Sequence, residues 1–336
     1  MAYTGIDDSS AYFQAQLYTG TGSAASITNS GNSDLDPDFV WIKERADGLE
    51  HSLFDTVRGV QKRLIASTTA AENTDAQYLT AFNSDGFSVG TDNNVNQSSK
   101  TYVAWQWVEH ATAGFDIVGY TGNGSARTIS HSLGVIPDVI IVKNRGATEN
   151  WQVYHAKNTD APETDYLELN TGDATADDTV WNDTAPTSSV FSIGSGATVN
   201  SNTVTYIAYC FANKQGFSKF GSYYGNGHAT VGPFVYLGFK PAFVMIKNTE
   251  TAGRNWYIYD SSRKVFNLND SVISGNADNA EAADAGINFL SNGFQINTNN
   301  AGTSTINHSG QKLIYMAFAK NPFVTSSGAS APAGIL

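Results

Sequence analysis

Cysteine is nearly absent from this sequence, since Cys210 is the only one among 336 residues. A chain with a single cysteine cannot form an intrachain disulfide, so its fold must be held by a packed core. Charged residues are scarce too, at 15% of the chain, and the net charge is −12. Because phosphate binding needs clustered Lys and Arg, this balance predicts a protein that does not bind nucleic acid.

Long apolar runs are missing as well. No stretch approaches the ~20 apolar residues of a transmembrane helix. The first four residues lack the basic start and apolar core of a signal peptide. The sequence therefore predicts a soluble protein that is made in a cytoplasm and does not insert into a membrane. The plentiful residues are Gly, with 31 copies, and Asn, Ser and Thr, which favour an all-β protein with turn-rich connections.

One apolar pattern occurs three times along the chain. Each copy begins with proline, continues with residues that are mostly β-branched or aromatic, and ends with lysine. Proline suits the start of a strand because it has no N–H to donate. An apolar run of this length is typical of a strand buried on both faces. The copies are residues 37–43, 137–143 and 241–247, and they end at Lys43, Lys143 and Lys247.

Three further landmarks recur in the same order as this pattern. They are a Tyr-x-Gly-x-Gly turn beginning at Tyr18, Tyr120 and Tyr223, a phenylalanine at Phe87, Phe191 and Phe294, and a Tyr-x-Ala strand beginning at Tyr102, Tyr206 and Tyr315. Chance similarity between hydrophobic strands does not explain four landmarks in one order. The sequence therefore predicts a tandem repeat.

The predicted organisation is an N-terminal arm, three units and a short tail. The arm, residues 1–13, is expected to contact a neighbouring subunit. We call residues 14–110, 115–213 and 216–322 units 1, 2 and 3, and residues 323–336 the tail. Each unit has room for about seven or eight short strands, the size of a β-sandwich, and jelly-roll, immunoglobulin-like and concanavalin-like versions all fit. Because the linkers are short, we expect three tandem homologous β-sandwich units packed into one rigid body.

The sequence contains no convincing catalytic or metal-binding motif. The glycine turns lack the third glycine and the following helix of a phosphate-binding loop. The six histidines have no metal-ligand spacing. Asp34, Asp36 and Asp38 alternate and could bind calcium, but units 2 and 3 keep at most Asp138, so an acidic loop is favoured. We therefore predict a protein without enzyme activity, cofactor or metal.

Two isolated polar residues are interpreted as structural. Cys210 falls in the closing strand of unit 2, where a packed thiol is favoured over a nucleophile. His155 stands where the other units carry Asp55 and Asp260, so this position tolerates either kind of hydrogen-bonding group.

Two sets of residues are candidates for ligand binding. The repeated lysines Lys43, Lys143 and Lys247 either reach the rim of their strand and donate to loop carbonyls or bind a ligand. Surface aromatic rings could stack on sugars, although aromatic residues make up 12% of the chain and most of them must belong to the core. The aromatic candidates are Trp151, Trp181, Trp256, Tyr223 and Tyr224.

The motifs as a set resemble those of a repeat family found in virion proteins of marine tailed bacteriophages. The resemblance is densest in unit 1 and covers essentially the whole chain. It rests on Pro-Asp-Phe-Val-Trp-Ile-Lys (37–43), His-x-Leu-x-Asp-x-Val-Arg-Gly (51–59), Phe-Asn-Ser-Asp-Gly-Phe (82–87) and Tyr-Val-Ala-Trp-x-Trp (102–107). Units 2 and 3 have lost the Val-Arg-Gly segment and the Asp-Gly turn.

Members of that family are described as tail-fibre or other structural proteins, so the resemblance implies a location in a virion. We expect a non-enzymatic tail-fibre, spike or appendage subunit that binds glycans on the host surface. Its expected partners are other virion proteins and further copies of itself, with a trimer favoured. Two alternatives stay open, namely a capsid decoration protein and a glycan depolymerase.

Overall fold

The computed structural model describes residues 3–297 and 305–329, and over these ranges the chain is all-β. Strands make up 43% of the structure and helix 4%. This agrees with a composition rich in β-branched, aromatic and turn-forming residues. Among the described residues, no helix is both long enough and apolar enough to cross a membrane.

Unit 1 contains one large sheet, one small sheet and a separate pair of two short strands. Its strands are β1 (Phe13–Thr19), β2 (Ala25–Ile27), β3 (Phe39–Glu44), β4 (Ser52–Asp55), β5 (Lys62–Arg63), β6 (Asn73–Thr74), β7 (Leu79–Asn83), β8 (Gly86–Val89) and β9 (Thr101–Trp107). The large sheet has the order β1-β9-β3-β4, the small sheet has the order β2-β8-β7, and β5 pairs with β6. One helical turn, α1 (Asn93–Asn96), precedes β9. The Asp-Gly pair at residues 85 and 86 is typical of a hairpin turn, and it connects the paired strands β7 and β8.

Unit 2 repeats this strand order. Its strands are β10 (Phe115–Thr121), β11 (Arg127–Ser130), β12 (Val139–Asn144), β13 (Gln152–His155), β14 (Asp165–Glu168), β15 (Ala176–Asp177), β16 (Val190–Ile193) and β17 (Thr205–Phe211). The large sheet has the order β10-β17-β12-β13-β14-β15, and β11 pairs with β16. The helical turns are a 3-10 turn (Thr179–Trp181) and α2 (Ala197–Asn200).

Unit 3 forms a single sheet that folds back over itself. Its strands are β18 (Ser218–Tyr224), β19 (Phe234–Tyr236), β20 (Phe239–Asn248), β21 (Tyr257–Asp260), β22 (Asn269–Ser274), β23 (Ala282–Leu290), β24 (Gly293–Asn297) and β25 (Lys312–Pro322). The order is β18-β25-β20-β21-β22-β23-β24-β19. The ring of Phe294 in β24 lies 5.5 Å from that of Tyr315 in β25, so the two ends of the sheet face each other.

The three copies of the apolar pattern form the central strands β3, β12 and β20. Each pairs with the closing strand of its unit on one side and with the following strand on the other. All six residues of β3 and all six of β12 are buried. The prediction of strands buried on both faces is thus confirmed.

The Tyr-x-Ala pattern of unit 3 lies two residues further along the closing strand than in units 1 and 2. In each unit, one residue of the closing strand pairs with the residue that follows the repeated lysine. That residue is Tyr102 in unit 1 and Tyr206 in unit 2, but Leu313 in unit 3. Tyr315 lies two positions further on, where unit 1 has Ala104. The prediction that Tyr315 is the counterpart of the other two tyrosines is therefore wrong, because a repeated letter pattern does not fix the pairing register.

The outer face of each large sheet is covered from within its own unit. In unit 1 the covering core includes Phe87 and Tyr102, and in unit 2 it includes Phe191 and Tyr206. The tyrosine hydroxyls also hold the helical turns, since Tyr102 donates to a carbonyl of α1 and Tyr206 to one of α2. Cys210 is buried in the unit 2 core, and burial raises the pKa of its thiol.

The inner faces of the three large sheets pack against one another. Alternation in the closing strand predicts that its large residues enter a core between two sheets, and that core proves to lie between units. Trp105 and Trp107 of unit 1, Tyr209 of unit 2 and Phe318 of unit 3 all belong to it. A void of about 20 Å³ is lined by residues from all three units. A strand's alternation shows which face is buried, but not which element covers it.

A buried asparagine holds each Tyr-x-Gly-x-Gly turn. In unit 1, Asn96 donates to the carbonyls of Ser23 and Gly90, at 2.6 and 2.7 Å, and accepts from the N–H of Thr21. Asn200 and Asn307 make similar contacts in units 2 and 3. These turns are therefore fixed by contacts within the chain.

The arm lies against its own chain. Tyr3 donates to the carbonyl of Gly238 in unit 3 at 2.9 Å, and the ring of Tyr12 lies 6.0 Å from that of Phe217. Asp7 accepts a hydrogen bond from the N–H of Ser326 in the tail at 2.6 Å. Residues 330–336 of the tail lie outside the described ranges. The described arm residues thus contact units 1 and 3 and the tail of their own chain, and the contact with a neighbouring subunit stays a prediction.

Candidate functional site

The units meet at three junctions that use the same position of the repeat. Trp151 of unit 2 donates through its ring N–H to the carbonyl of Ile65 in unit 1, at 2.9 Å. Trp256 of unit 3 donates to the carbonyl of Glu168 in unit 2, also at 2.9 Å. His51 of unit 1 lies within hydrogen-bond distance of two carbonyl oxygens of unit 3. The contacts run in a cycle, from unit 2 to 1, from 3 to 2 and from 1 to 3.

A buried ion-pair network crosses the junction of units 1 and 2. Arg58 lies 2.5 Å from Asp55 and 3.2 Å from Glu72, and the side chains of Asp55 and Arg58 are fully buried. Across the junction, Arg145 lies 2.9 Å from Glu72, and Tyr209 donates to Asp55 at 2.7 Å. Burial alone raises the pKa of Glu72, but the hydrogen bond from Arg145 and the charge of Arg58 outweigh it and lower the pKa overall. The network therefore leaves each buried charge with a partner.

The junction of units 3 and 1 repeats the same network. Arg263 pairs with Asp260, both fully buried, and lies 3.1 Å from Glu281. Arg45 of unit 1 lies 2.9 Å from Glu281, and Trp105 donates to Asp260 at 3.0 Å.

The junction of units 2 and 3 is uncharged at all the matching positions. His155 and Asn158 replace the aspartate and its arginine, while Thr175 and Thr249 replace the glutamate and the second arginine. Thr175 donates to the side chain of Asn158 at 2.7 Å, and its N–H donates to the carbonyl of Thr249 at 2.8 Å. Met316 takes the strand position at which the other two junctions have Tyr209 and Trp105. Burial lowers the pKa of His155 to about 4, so its ring is neutral at physiological pH.

The repeated lysines are buried and bound to backbone carbonyls. Their side-chain nitrogens donate at 2.7 Å for Lys43, 2.8 Å for Lys143 and 2.6 Å for Lys247. The acceptor of Lys143 is the carbonyl of Thr69 in unit 1, so this lysine also joins two units. Burial lowers the pKa of each lysine to about 8. The amines are therefore turned toward the chain and not toward a surface ligand.

Four of the five aromatic candidates for sugar stacking are buried, which corrects their interpretation as surface rings. Their exposed fractions are 0% for Trp151, 2% for Trp181, 2% for Trp256 and 8% for Tyr223. Trp151 and Trp256 bridge junctions, and Tyr223 donates its hydroxyl to the carbonyl of Ile306 at 2.7 Å. Tyr224, at 61%, keeps an open ring. The sequence alone does not show whether a given aromatic ring is buried, because that depends on which sheet packs over it.

A groove of about 460 Å³ opens along β18, next to the uncharged junction. Its walls include Phe234 and Tyr236 of β19, which are 47% and 50% exposed. Lys157 of unit 2 lines the groove from across the junction. Tyr315 lines it as well, and its neighbour on β18 is Gly221, where a Cβ would overlap the tyrosine ring. Glycine at this position therefore keeps room for a tyrosine where the other units have alanine.

The charge of the groove differs from that of the whole chain. Lys157 and Lys219 are among its lining residues, and no Asp or Glu is found among those that the structure describes. Lys219 donates to the carbonyl of Tyr236 at 2.7 Å, and its nitrogen lies 5.2 Å from the centre of that ring. Burial lowers the pKa of Lys219. The groove is thus a cationic, aromatic site on a chain with a net charge of −12.

The aromatic wall is specific to unit 3, and the sequence patterns did not point to it. The strand β19 corresponds to β2 and β11, because Val235 pairs with Phe294 as Ile27 pairs with Phe87 and Ile129 with Phe191. In this register the positions of Phe234 and Tyr236 carry Ser26 and Thr28 in unit 1 and Thr128 and Ser130 in unit 2. All four of those small polar residues are exposed. The difference becomes visible only after strand pairing aligns the outward-facing positions of the three units.

One pair of carboxyl groups bears on the enzyme alternative. Burial, with a smaller contribution from Asp116, raises the pKa of Glu109 to about 7. Glu109 accepts from the N–H of Ile117 across the turn between units 1 and 2, and Asp116 accepts from the N–H of Ser132 within unit 2, so each carboxyl group binds backbone. Within residues 3–297 and 305–329, no three His, Cys, Asp or Glu side chains are grouped so as to hold a metal ion.

These features define an all-β protein whose three large sheets share one core and whose surface carries an aromatic groove. The chain belongs to the family described as a domain of unknown function (DUF7483), which matches residues 8–322. The match spans all three units together. No curated protein matches the sequence.

Proposed function

We propose that the chain is built from three copies of one two-layer β-sandwich module, and that it serves as a non-enzymatic structural protein of a phage virion. Its role is that of a tail-fibre, spike or appendage subunit that attaches to glycans on the host surface. The observation that carries the attachment role is the exposed, cationic aromatic groove at the junction of units 2 and 3.

The modular part of the proposal is supported by the matching strand orders and by the cycle of junction contacts. Four junction positions change together from Asp, Arg, Glu and Arg to His, Asn, Thr and Thr. Such a joint replacement is what copies of one module need, since a single neutral substitution would leave a buried charge unpaired.

The attachment part is supported by rigidity and by the groove. Binding sites held on a rigid body lose little entropy when they bind, so weak contacts to repeated surface sugars can add up over several copies. Exposed aromatic rings with nearby polar groups are suited to sugars, whose C–H faces stack on the ring while their hydroxyls form hydrogen bonds. The resemblance to virion proteins supports the location.

Labelling of intact virions with a gold-conjugated antibody against this protein tests the location. We expect label on the tail or its appendages. Label over the head would favour the capsid decoration protein instead, and particles without label would overturn the virion role. Incubation with host capsule or lipopolysaccharide should release no oligosaccharide, since release would identify a depolymerase.

The proposed assembly is a homo-oligomer, with a trimer favoured, bound to other virion proteins. Because the three inner faces already cover one another within one chain, the copies would associate through outer surfaces. Sedimentation equilibrium at micromolar concentration measures this directly, and a strict monomer would count against the fibre role.

A further inference from the structure

We infer that the groove along β18 binds an acidic saccharide, that is, a sugar chain carrying carboxylate groups. This inference rests on the proposed attachment function and names the ligand class of the same groove. It follows from three observations that occur together only at this place in the repeat.

The first observation is the change from small polar to aromatic residues on an exposed strand. Phe234 and Tyr236 are about half exposed, although the same positions of units 1 and 2 carry only Ser and Thr. Units 1 and 2 show that these positions accept polar residues. Because exposed aromatic residues lower solubility, a binding role accounts for their presence in unit 3. Their rings give a sugar an apolar face to stack on.

The second observation is the gain of positive charge. Lys219 corresponds to Gln14 in unit 1 and Asp116 in unit 2, because these residues hold the same position opposite the closing strand. Lys157 corresponds to Val57 and Ser262. Both lysines line the groove. Lys219 uses one N–H for the carbonyl of Tyr236 and keeps two donors for a carboxylate.

The third observation is the state of the junction itself. The loop that carries Lys157 in unit 2 packs onto the neighbouring unit in the other two cases. In unit 1 it packs onto unit 2 through Val57, which lies beside Gly119. In unit 3 it packs onto unit 1 through Ser262, which donates to the carbonyl of Ala15 at 2.7 Å. In unit 2 the loop presents Lys157, which is exposed. The junction thus keeps an open space of about 460 Å³, the size of a small-ligand site.

Isothermal titration of the full-length protein tests the inference. The probes are oligogalacturonate, hyaluronan oligomers and alginate oligomers, and the neutral control is a maltooligosaccharide of the same length. We expect at least one acidic probe to bind at least about tenfold more tightly than the control, with an affinity that falls as salt is raised.

The repeat supplies the matched variants. F234T with Y236S restores the polar residues that unit 2 carries, and K219Q with K157S restores residues of units 1 and 3. Each double variant should lose about tenfold in affinity for the acidic probe, while its melting temperature stays close to that of the native protein. F266S removes an aromatic ring that is 68% exposed and does not line the groove, and this variant should bind like the native protein.

Three results would overturn the inference. They are no binding of any acidic probe at millimolar concentration, equal binding of the neutral control, or unchanged affinity in the lysine variant. Equal binding of the neutral control would leave glycan attachment itself standing. The virion location is decided separately by the antibody label.

Discussion

At the scale of single residues, the junction networks show how buried charge is tolerated in this fold. Asp55 and Arg58 are fully buried, and each of their charged groups has a partner within hydrogen-bond distance. Removing one member leaves its partner charged and buried without solvent, and this lowers the stability more than replacing both members by neutral residues. The uncharged junction shows that the same backbone positions also accept a neutral set.

We predict that Arg58→Ala destabilises the protein by about 3–5 kcal/mol, because it leaves Asp55 buried without its main partner. The combined variant D55H, R58N, E72T, R145T and Y209M copies the uncharged junction into the junction of units 1 and 2. It should cost clearly less than Arg58→Ala, although it changes five residues. Equilibrium unfolding in urea measures both values.

The ion pair of Lys100 and Asp47 is the control for the buried pair, because its side chains are 32% and 45% exposed. Lys100→Ala should change the stability far less than Arg58→Ala, because solvent screens an exposed ion pair. If the five-residue variant proved less stable than Arg58→Ala, the neutral set would depend on its surroundings in units 2 and 3, and the modular interpretation would be weakened.

At the scale of structural elements, the Tyr-x-Gly-x-Gly turn uses its two glycines for different reasons. A Cβ on Gly122 would overlap the carbonyl oxygen of Ser201, so the first glycine is needed for close packing of two chain segments. Gly124 has a φ of +73° and only ordinary contacts around a Cβ, so the second glycine is needed for its backbone conformation.

We predict that Gly122→Ala costs more stability than Gly124→Ala. The overlap at Gly122 should cost about 2–3 kcal/mol, because backbone on both sides has to move. The left-handed conformation at Gly124 should cost about 1–2 kcal/mol. Gly196, which has a φ of −63° and no close contact around a Cβ, is the control and should change stability by less than about 0.5 kcal/mol. Thermal and urea unfolding of the three variants decide the order, and an equal loss at Gly122 and Gly196 would contradict it.

The elements themselves were largely predictable from the sequence, because their signals are local. A proline followed by apolar residues identified β3, β12 and β20, and the Asp-Gly turn identified the hairpin β7–β8. The partners of these elements were not predictable. The alternation that buries Trp105 does not say that Asp260, 155 residues further along the chain, accepts its N–H.

The groove could not be found by the same means. Sugar-binding residues were expected among the largest aromatic side chains, but the tryptophans of that set are buried. Phe234 and Tyr236 stand in a short strand with no strong pattern of its own. Their exposure follows from the pairing of β19 with β24, which only the fold reveals. Lys157 lines the groove from another unit, and no sequence pattern near Lys157 indicates that it lies there.

At the scale of the whole molecule, the shared core makes the three units dependent on one another. The ring of Phe39 in unit 1 lies 4.5 Å from that of Tyr209 in unit 2, and Phe318 of unit 3 lies 5.9 Å from Phe211. Trp105 of unit 1 lies 5.7 Å from Phe243 of unit 3. Each inner face is therefore covered by the other two units, and burial of these faces contributes to the stability of all three.

We predict that a fragment of residues 1–213, which lacks unit 3, does not persist as a folded monomer. The loss of unit 3 uncovers the aromatic inner faces of units 1 and 2. It also removes Asp260 and Glu281, the partners of Trp105 and Arg45. An exposed apolar surface of this kind drives association. Size-exclusion chromatography with light scattering should show aggregates or dimers, and calorimetry of the full chain should show one cooperative transition.

The control for this experiment ends the chain at residue 322. That chain keeps all three inner faces and loses only the tail, whose described residues contact the arm at the surface. It should melt as the full chain does, since no member of the shared core is removed. A monomeric 1–213 fragment with the melting temperature of the full chain would mean that the inner faces of units 1 and 2 are satisfied without unit 3. The units would then be independent domains in contact, and the groove between units 2 and 3 would lose the rigid frame on which its binding role depends.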